Sequence, residues 1–195
     1  MKGKNIFFIA SVSILIPATG RLGYGIILLI GLISINCISS LLYIVFKKCD
    51  VGSFETPLQI FTTIAVTIIF KECVRYYSPI LSFNLHFSFY LVCFSSFLFT
   101  SQIKIEEEAY AIYLFSVLKQ SLAFSFFGLF FFSLREYVAY ASLSLPITQG
   151  LKIILIPAVH LFNGSFLWSS TAFALVLMAI ILIVVSAFQK KKAKG

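Results

Sequence analysis

Six apolar stretches fill nearly all of the chain, and its charged residues sit mostly in the gaps between them. The run from Gly23 to Phe46 alone is long enough to cross a hydrocarbon core of about 30 Å, because roughly 20 residues rising 1.5 Å each do so. In lipid, every backbone N–H and C=O has to be satisfied within its own segment or by a neighbour, so such runs are expected as helices and not as open strands. Hydrophobic residues make up 60% of the chain and charged ones 11%, with a mean hydropathy of +1.02, which leaves little sequence for a soluble catalytic domain. The expectation is one all-α integral membrane domain over residues 1–195.

The spans fall at about 6–19, 23–46, 57–73, 81–100, 109–132 and 166–188, followed by a basic tail at 189–195. The first is short, with Pro17 near its end, and the third turns charged at Lys71 and Glu72, so either is open to being tilted, broken or partly re-entrant. Between the last two spans, Leu143 to Gly164 carries Pro146, Gly150, Pro157 and Gly164. It reads as a loop with an interfacial segment and not as a seventh crossing.

A net charge of +8 raises nucleic acid as a partner, but Lys190, Lys191, Lys192 and Lys194 lie in the tail beside the final span, where a cytoplasmic membrane flank requires them. Lipid is therefore the expected partner and nucleic acid is not. With six crossings one side holds Lys2, Lys4, Lys47, Lys48, Lys104 and the four tail lysines. The other holds Arg21, Lys71, Arg75, Arg135 and Lys152. That imbalance places both termini in the cytoplasm, with the chain in the inner (cytoplasmic) membrane and Tyr76, Tyr77, Tyr137, Tyr140 and Trp168 forming an aromatic belt at the far interface. Lys2 and Lys4, the apolar run after them and Ala18-Thr19-Gly20 also fit a cleavable signal peptide, and cleavage would leave the remaining topology unchanged.

No nucleophile, phosphate or metal motif is present: there is no Gly-rich loop, no Cys-x-x-Cys and no His pair at ligand spacing. Cys49 and Cys73 belong to opposite faces, Cys37 and Cys93 lie near mid-span as small core residues, and His86 and His160 are isolated. The polar residues that cost most are more informative. Lys119 lies inside span five, where an ionisable group faces the bundle or a watery cavity, or else snorkels to the interface. Arg135 and Glu136 close the same span; adjacent helical positions do not face each other, so each needs its own partner, as a structural cap or loop anchor.

Divided after span three, the chain gives two halves of three crossings, and an odd number per half inverts the second relative to the first. The opening spans of the halves are the short or polar-interrupted ones, with Ser11, Ser13 and Pro17 in span one and Asn84, His86, Ser88, Ser95 and Ser96 in span four. In membrane proteins built from inverted repeats, matched irregular segments meet near the midplane and form the working site.

The short first span, the turn Ala18-Thr19-Gly20-Arg21-Leu22, the polar fourth span and Ser133-Leu134-Arg135-Glu136 together resemble the small six-span subunits of the Rnf and sodium-pumping NADH:quinone reductase complexes. Phe162-Asn163-Gly164 and Ser170-Thr171-Ala172-Phe173 look like the elements that open that family's last helix, and the long segment between spans five and six looks more like the D/E-type member. The resemblance implies a membrane subunit of an ion-translocating electron-transport complex, not itself catalytic, beside a paralogous six-span subunit. Family members supply one cysteine from the first half-helix and one from the fourth to an intramembrane iron centre. Here those positions fall near Ser13 and Ser96, and a neutral hydroxyl is a poor substitute for thiolate toward iron, so the iron site is expected to be lost and no cofactor is expected. The Gly-rich start of the family's fifth helix is replaced by Lys119-Gln120-Ser121-Leu122-Ala123. The second functional class consistent with six helices in a chain of this length is a small transport protein, such as the substrate-binding component of a vitamin importer.

The charge asymmetry carries a direct test. Reporter fusions after Lys48 and after Lys194 are expected to score cytoplasmic and one after Arg75 outside; an external tail overturns the orientation.

Overall fold

The computed structural model describes residues 20–102, 110–155, 170, 172–176, 179, 180 and 183. Within them the chain is mostly helical, and three helices are long and apolar enough to cross a membrane: α1 (Leu22–Lys48), α2 (Glu55–Tyr77) and α5 (Tyr110–Tyr140). Two shorter helices, α3 (Pro79–Asn84) and α4 (His86–Gln102), lie between α2 and α5, and a hairpin of β1 (Ser142–Ile147) and β2 (Gly150–Leu155) follows α5. The expected first span, Ser13, Lys104, His160, Trp168, Asn163-Gly164 and the basic tail lie outside the described residues.

Helix α1 is the central post. Of its most apolar window 56% is buried, against 28% for α2 and 33% for α5, and it packs on α2, α4, α5 and β1. Its sequence is apolar all round and punctuated by small residues, and of its apolar residues only the stripe Ile30, Ile38, Leu41 and Val45 stays strongly exposed. Those small residues admit neighbours closely. A Cβ at Gly25 would overlap the Phe132 ring of α5, and one at Gly31 would press on Phe70 of α2. Membrane helices lack a hydrophobic drive toward one another, and small residues restore close van der Waals contact.

Helices α1 and α5 run antiparallel in one register. Phe132 covers Gly25, Asn36 Nδ2 donates to Ser121 Oγ at 2.9 Å, and the Tyr43 and Tyr113 rings lie 6.5 Å apart. The step from Gly25 to Asn36 and the step back from Phe132 to Ser121 are each roughly three helical turns, so the two seams stay aligned. Ser39 and Ser40 of α1 and Ser121 and Ser125 of α5 are buried, as are Gln59, Thr63 and Thr67 of α2. The Thr63 and Thr67 hydroxyls donate to the carbonyls of Gln59 and Thr63, four residues earlier, which satisfies them inside their own helix.

Three elements depart from the sequence reading. Span four, read as 81–100, starts at Pro79, which is pre-organised for a first helical turn, and is interrupted at Leu85 between α3 and α4. Asn84 at this break donates from Nδ2 to the Tyr24 hydroxyl of α1 at 2.6 Å. Span five, read as ending at Phe132, continues as helix for two further turns to Tyr140, because Arg135 and Glu136 find buried partners there. The segment from 142 to 155, read as part of a loop in an all-helical chain, is an antiparallel hairpin in which Ser142 pairs with Leu155 and Ile147 with Gly150. Its first strand alternates Ser142, Ser144 and Pro146 with Leu143, Leu145 and Ile147, and the two serines are the buried residues. The helix-to-strand turn places Ala141 at φ 47, a left-handed conformation usually taken by glycine at a helix end, with its N–H donating to Tyr137 O at 2.9 Å.

The Gly25–Phe132 approach gives a double-mutant test. Gly25→Leu is expected to destabilise the protein in detergent by about 1–3 kcal/mol through overpacking, and Phe132→Ala by about 3–5 kcal/mol through a cavity. The combined variant should lose clearly less than the sum, since each change makes room for the other; strict additivity would show that the two do not share one site.

Candidate functional site: a carboxylate clamp at the start of the central helix

Helix α1 begins without a local cap. Its N-cap residue is Arg21, whose side chain makes no capping bond, and no acidic residue occupies the first turn. The missing acceptor comes from the far end of α5. Glu136, fully buried, accepts from the Leu22 N–H at 2.6 Å through Oε2. The same oxygen accepts from the Ser144 N–H at 3.0 Å and the Ser144 hydroxyl at 2.9 Å. Oε1 accepts from the Ser142 hydroxyl at 3.4 Å and lies 3.8 Å from the Arg21 guanidinium. Ser144 Oγ in turn accepts from the Gly23 N–H at 3.0 Å, so one serine links the second free donor of α1 to the carboxylate. A negative group at the positive end of the helix dipole, with several donors on it, is a satisfied buried anion.

The neighbouring groups complete an anchor. The Arg21 guanidinium lies over the Tyr140 ring at 4.6 Å. Arg135, 1% exposed, points elsewhere: its Nη2 donates to the Ser170 carbonyl at 3.4 Å. Ser170 carries the cap of the short helical stretch after it, its hydroxyl accepting from the Phe173 N–H at 3.2 Å and its carbonyl from the Ala174 N–H at 3.3 Å. Adjacent Arg135 and Glu136 thus serve two different segments, as their neighbouring positions on one helix require. This arrangement binds chain to chain, and no group in it is placed as a nucleophile.

The other residues singled out from the sequence lie apart from the clamp. Lys119 is on the exposed side of α5, away from buried Val117 and Ser121. The 31-residue helix is roughly 46 Å long and overhangs a 30 Å hydrocarbon core at both ends when centred on it, which leaves Lys119 roughly 6 Å inside and within snorkelling reach of the interface. Ser96 is fully buried on α4, and Cys93 and Cys37 are half-buried. Cys49 and Cys73 are exposed. His86 is exposed, its ring edge-on to Tyr90 with centroids 5.6 Å apart. Among the described residues no three His, Cys, Asp or Glu side chains come together.

Ser142, Ser144 and Tyr140 were not marked by sequence reading as part of a site. The signal that marks the serines is the alternation of Ser142 and Ser144 with Leu143 and Leu145, a strand period whose serine face turns inward. Comparison with family models, with curated proteins and with solved structures finds no match.

The geometry ranks three substitutions. Glu136→Ala leaves several donors and a cation facing a void and is expected to destabilise by about 3–5 kcal/mol, the range for removing one partner of a buried charge cluster. Glu136→Gln is expected to cost less, since the amide oxygen still accepts. Arg21→Gln is expected to cost about 1 kcal/mol or less, because that guanidinium is part-exposed and distant. Thermal unfolding in detergent checks the order, and an Arg21 effect equal to that of Glu136→Ala would show that the ion pair, and not the backbone donors, holds the carboxylate.

Proposed function

We propose that the protein is a membrane subunit of an Rnf/Nqr-like ion-translocating electron-transport complex, built from six spans in two inverted halves of three, with both termini cytoplasmic. In this reading it has lost the family's cysteine iron ligands and keeps the role of a membrane scaffold beside a paralogous six-span subunit. One observation supports the reading above others. The elements that carry the sequence resemblance, namely Arg21-Leu22, Arg135-Glu136 and Ser170 to Phe173, lie far apart in the chain and meet at one place through the Leu22–Glu136 and Arg135–Ser170 contacts. Residues that recur together as a family pattern are expected to share a structural task, and here they do. The interruption at Leu85 adds support, since the family breaks its fourth helix. Buried Ser96 at the expected ligand position supports loss of the metal site.

The test is the protein's company. Purified from native membranes in mild detergent, the full chain is expected to bring down a second six-span subunit and flavin- or iron-bearing subunits, while the isolated chain carries no stoichiometric iron. An ATPase module and a bound vitamin in their place would overturn the reading in favour of an importer component. Stoichiometric iron in the isolated chain, lost on Cys93→Ala, would overturn the loss of the metal site.

A further inference from the structure

A cleft of about 540 Å³ opens between the last turns of α2 and the α3–α4 break. Lys71, Glu72 and Arg75 line it from α2, and Ser82, Phe83 and His86 from the other wall. The cations outnumber the one carboxylate before the imidazole is counted. Glu72 and Arg75 form an exposed pair at 3.5 Å, an interaction too weak to withdraw the guanidinium from a better anion. Tyr90 holds the other two basic groups in place: the Lys71 ammonium lies 5.6 Å from its ring centroid, and the His86 ring packs on it edge-on. Apolar surface continues outward from the cleft, with Ile80, Phe83 and Phe87 all more than half exposed. Tyr76 and Tyr77, also exposed, close α2 one to two turns beyond Lys71, at the depth where headgroups meet acyl chains.

We propose that this cleft binds the phosphate headgroup of an anionic phospholipid, with Lys71 and Arg75 on the phosphate and the acyl chains along Ile80, Phe83 and Phe87. Charge complementarity selects the headgroup, and the apolar flank selects a lipid over a soluble phosphate. Basic recesses between membrane helices select anionic lipids by the same physics. The site depends only on the chain lying in a bilayer, so it stands or falls separately from the reading of the protein as a complex subunit.

The experiment is native mass spectrometry of the full-length detergent-purified chain against equimolar phosphatidylglycerol and phosphatidylcholine. The wild type is expected to retain phosphatidylglycerol preferentially. That preference should fall roughly fivefold for each cation removed, so roughly twenty-five-fold in K71Q/R75Q, and rise in E72Q. K152Q, which removes an exposed cation from the hairpin, should leave it unchanged. Glu72, Arg75 and Lys152 are exposed and Lys71 is half-buried, and an unchanged thermal transition confirms that each variant is folded. An undiminished preference in K71Q/R75Q, an equal loss in K152Q, or displacement of the lipid by millimolar inorganic phosphate would overturn the proposal. So would a polypeptide that co-purifies with the wild type and is lost from K71Q/R75Q.

Discussion

The fold hangs on one buried carboxylate. Glu136 lies at the end of the longest described helix and accepts from the first backbone donor of the central one, so a single group closes the antiparallel pair at that end. Without it, the Leu22 N–H and the Ser144 N–H would be buried without an acceptor, each at the cost of an unmade hydrogen bond. Through Ser142 and Ser144 the same carboxylate seats the hairpin on the start of α1, with Leu145 and Pro146 lying against Gly23. The requirement for glycine at 23 follows from the carboxylate, because the strand approaches only where no side chain intervenes.

From that end the rest of the α1–α5 interface follows in register. Small residues and hydroxyls alternate with large apolar ones along it, and the Asn36 to Ser121 side-chain hydrogen bond between the two helices sits near the middle of α1. A mid-span amide paired with a hydroxyl fixes rotation and register more than it adds stability, since such bonds contribute only about 1 kcal/mol in a membrane. At the other end the Lys48 ammonium lies 5.3 Å from the Tyr110 ring centroid, where α1 ends and α5 begins. The clamp, the amide and the cation over the ring hold the helices at three levels.

The helices were largely legible because their signal is bulk apolarity over many residues. Arg135 and Glu136 were legible as anchors with separate partners because two adjacent ionisable groups at a span end have no cheaper arrangement. Their partners were not legible. Leu22 is joined through its backbone, which no side-chain pattern reports, and Ser144 lies in a segment whose Pro146 and Gly150 read as loop punctuation and hid a strand period of two. Lys119 shows a different limit: its position in the sequence marks it as costly, yet whether it faces protein or the interface depends on where the helix starts, which apolar composition fixes only to a turn or so. The break at Leu85 was foreshadowed by Asn84 and His86 in an apolar run, though its exact place depends on the Asn84–Tyr24 bond to another helix.

The distribution of buried charge bears on how such a bundle is held together. Among the described residues the buried charged side chains are Arg135 and Glu136, both at one end and both engaged in joining segments. Between the ends, the interior presents hydroxyls and amides from Asn36, Gln59, Thr63, Ser96 and Ser125. A neutral polar seam makes helices specific for one another, and an anchored end makes their arrangement rigid. That combination fixes how the described helices sit against one another.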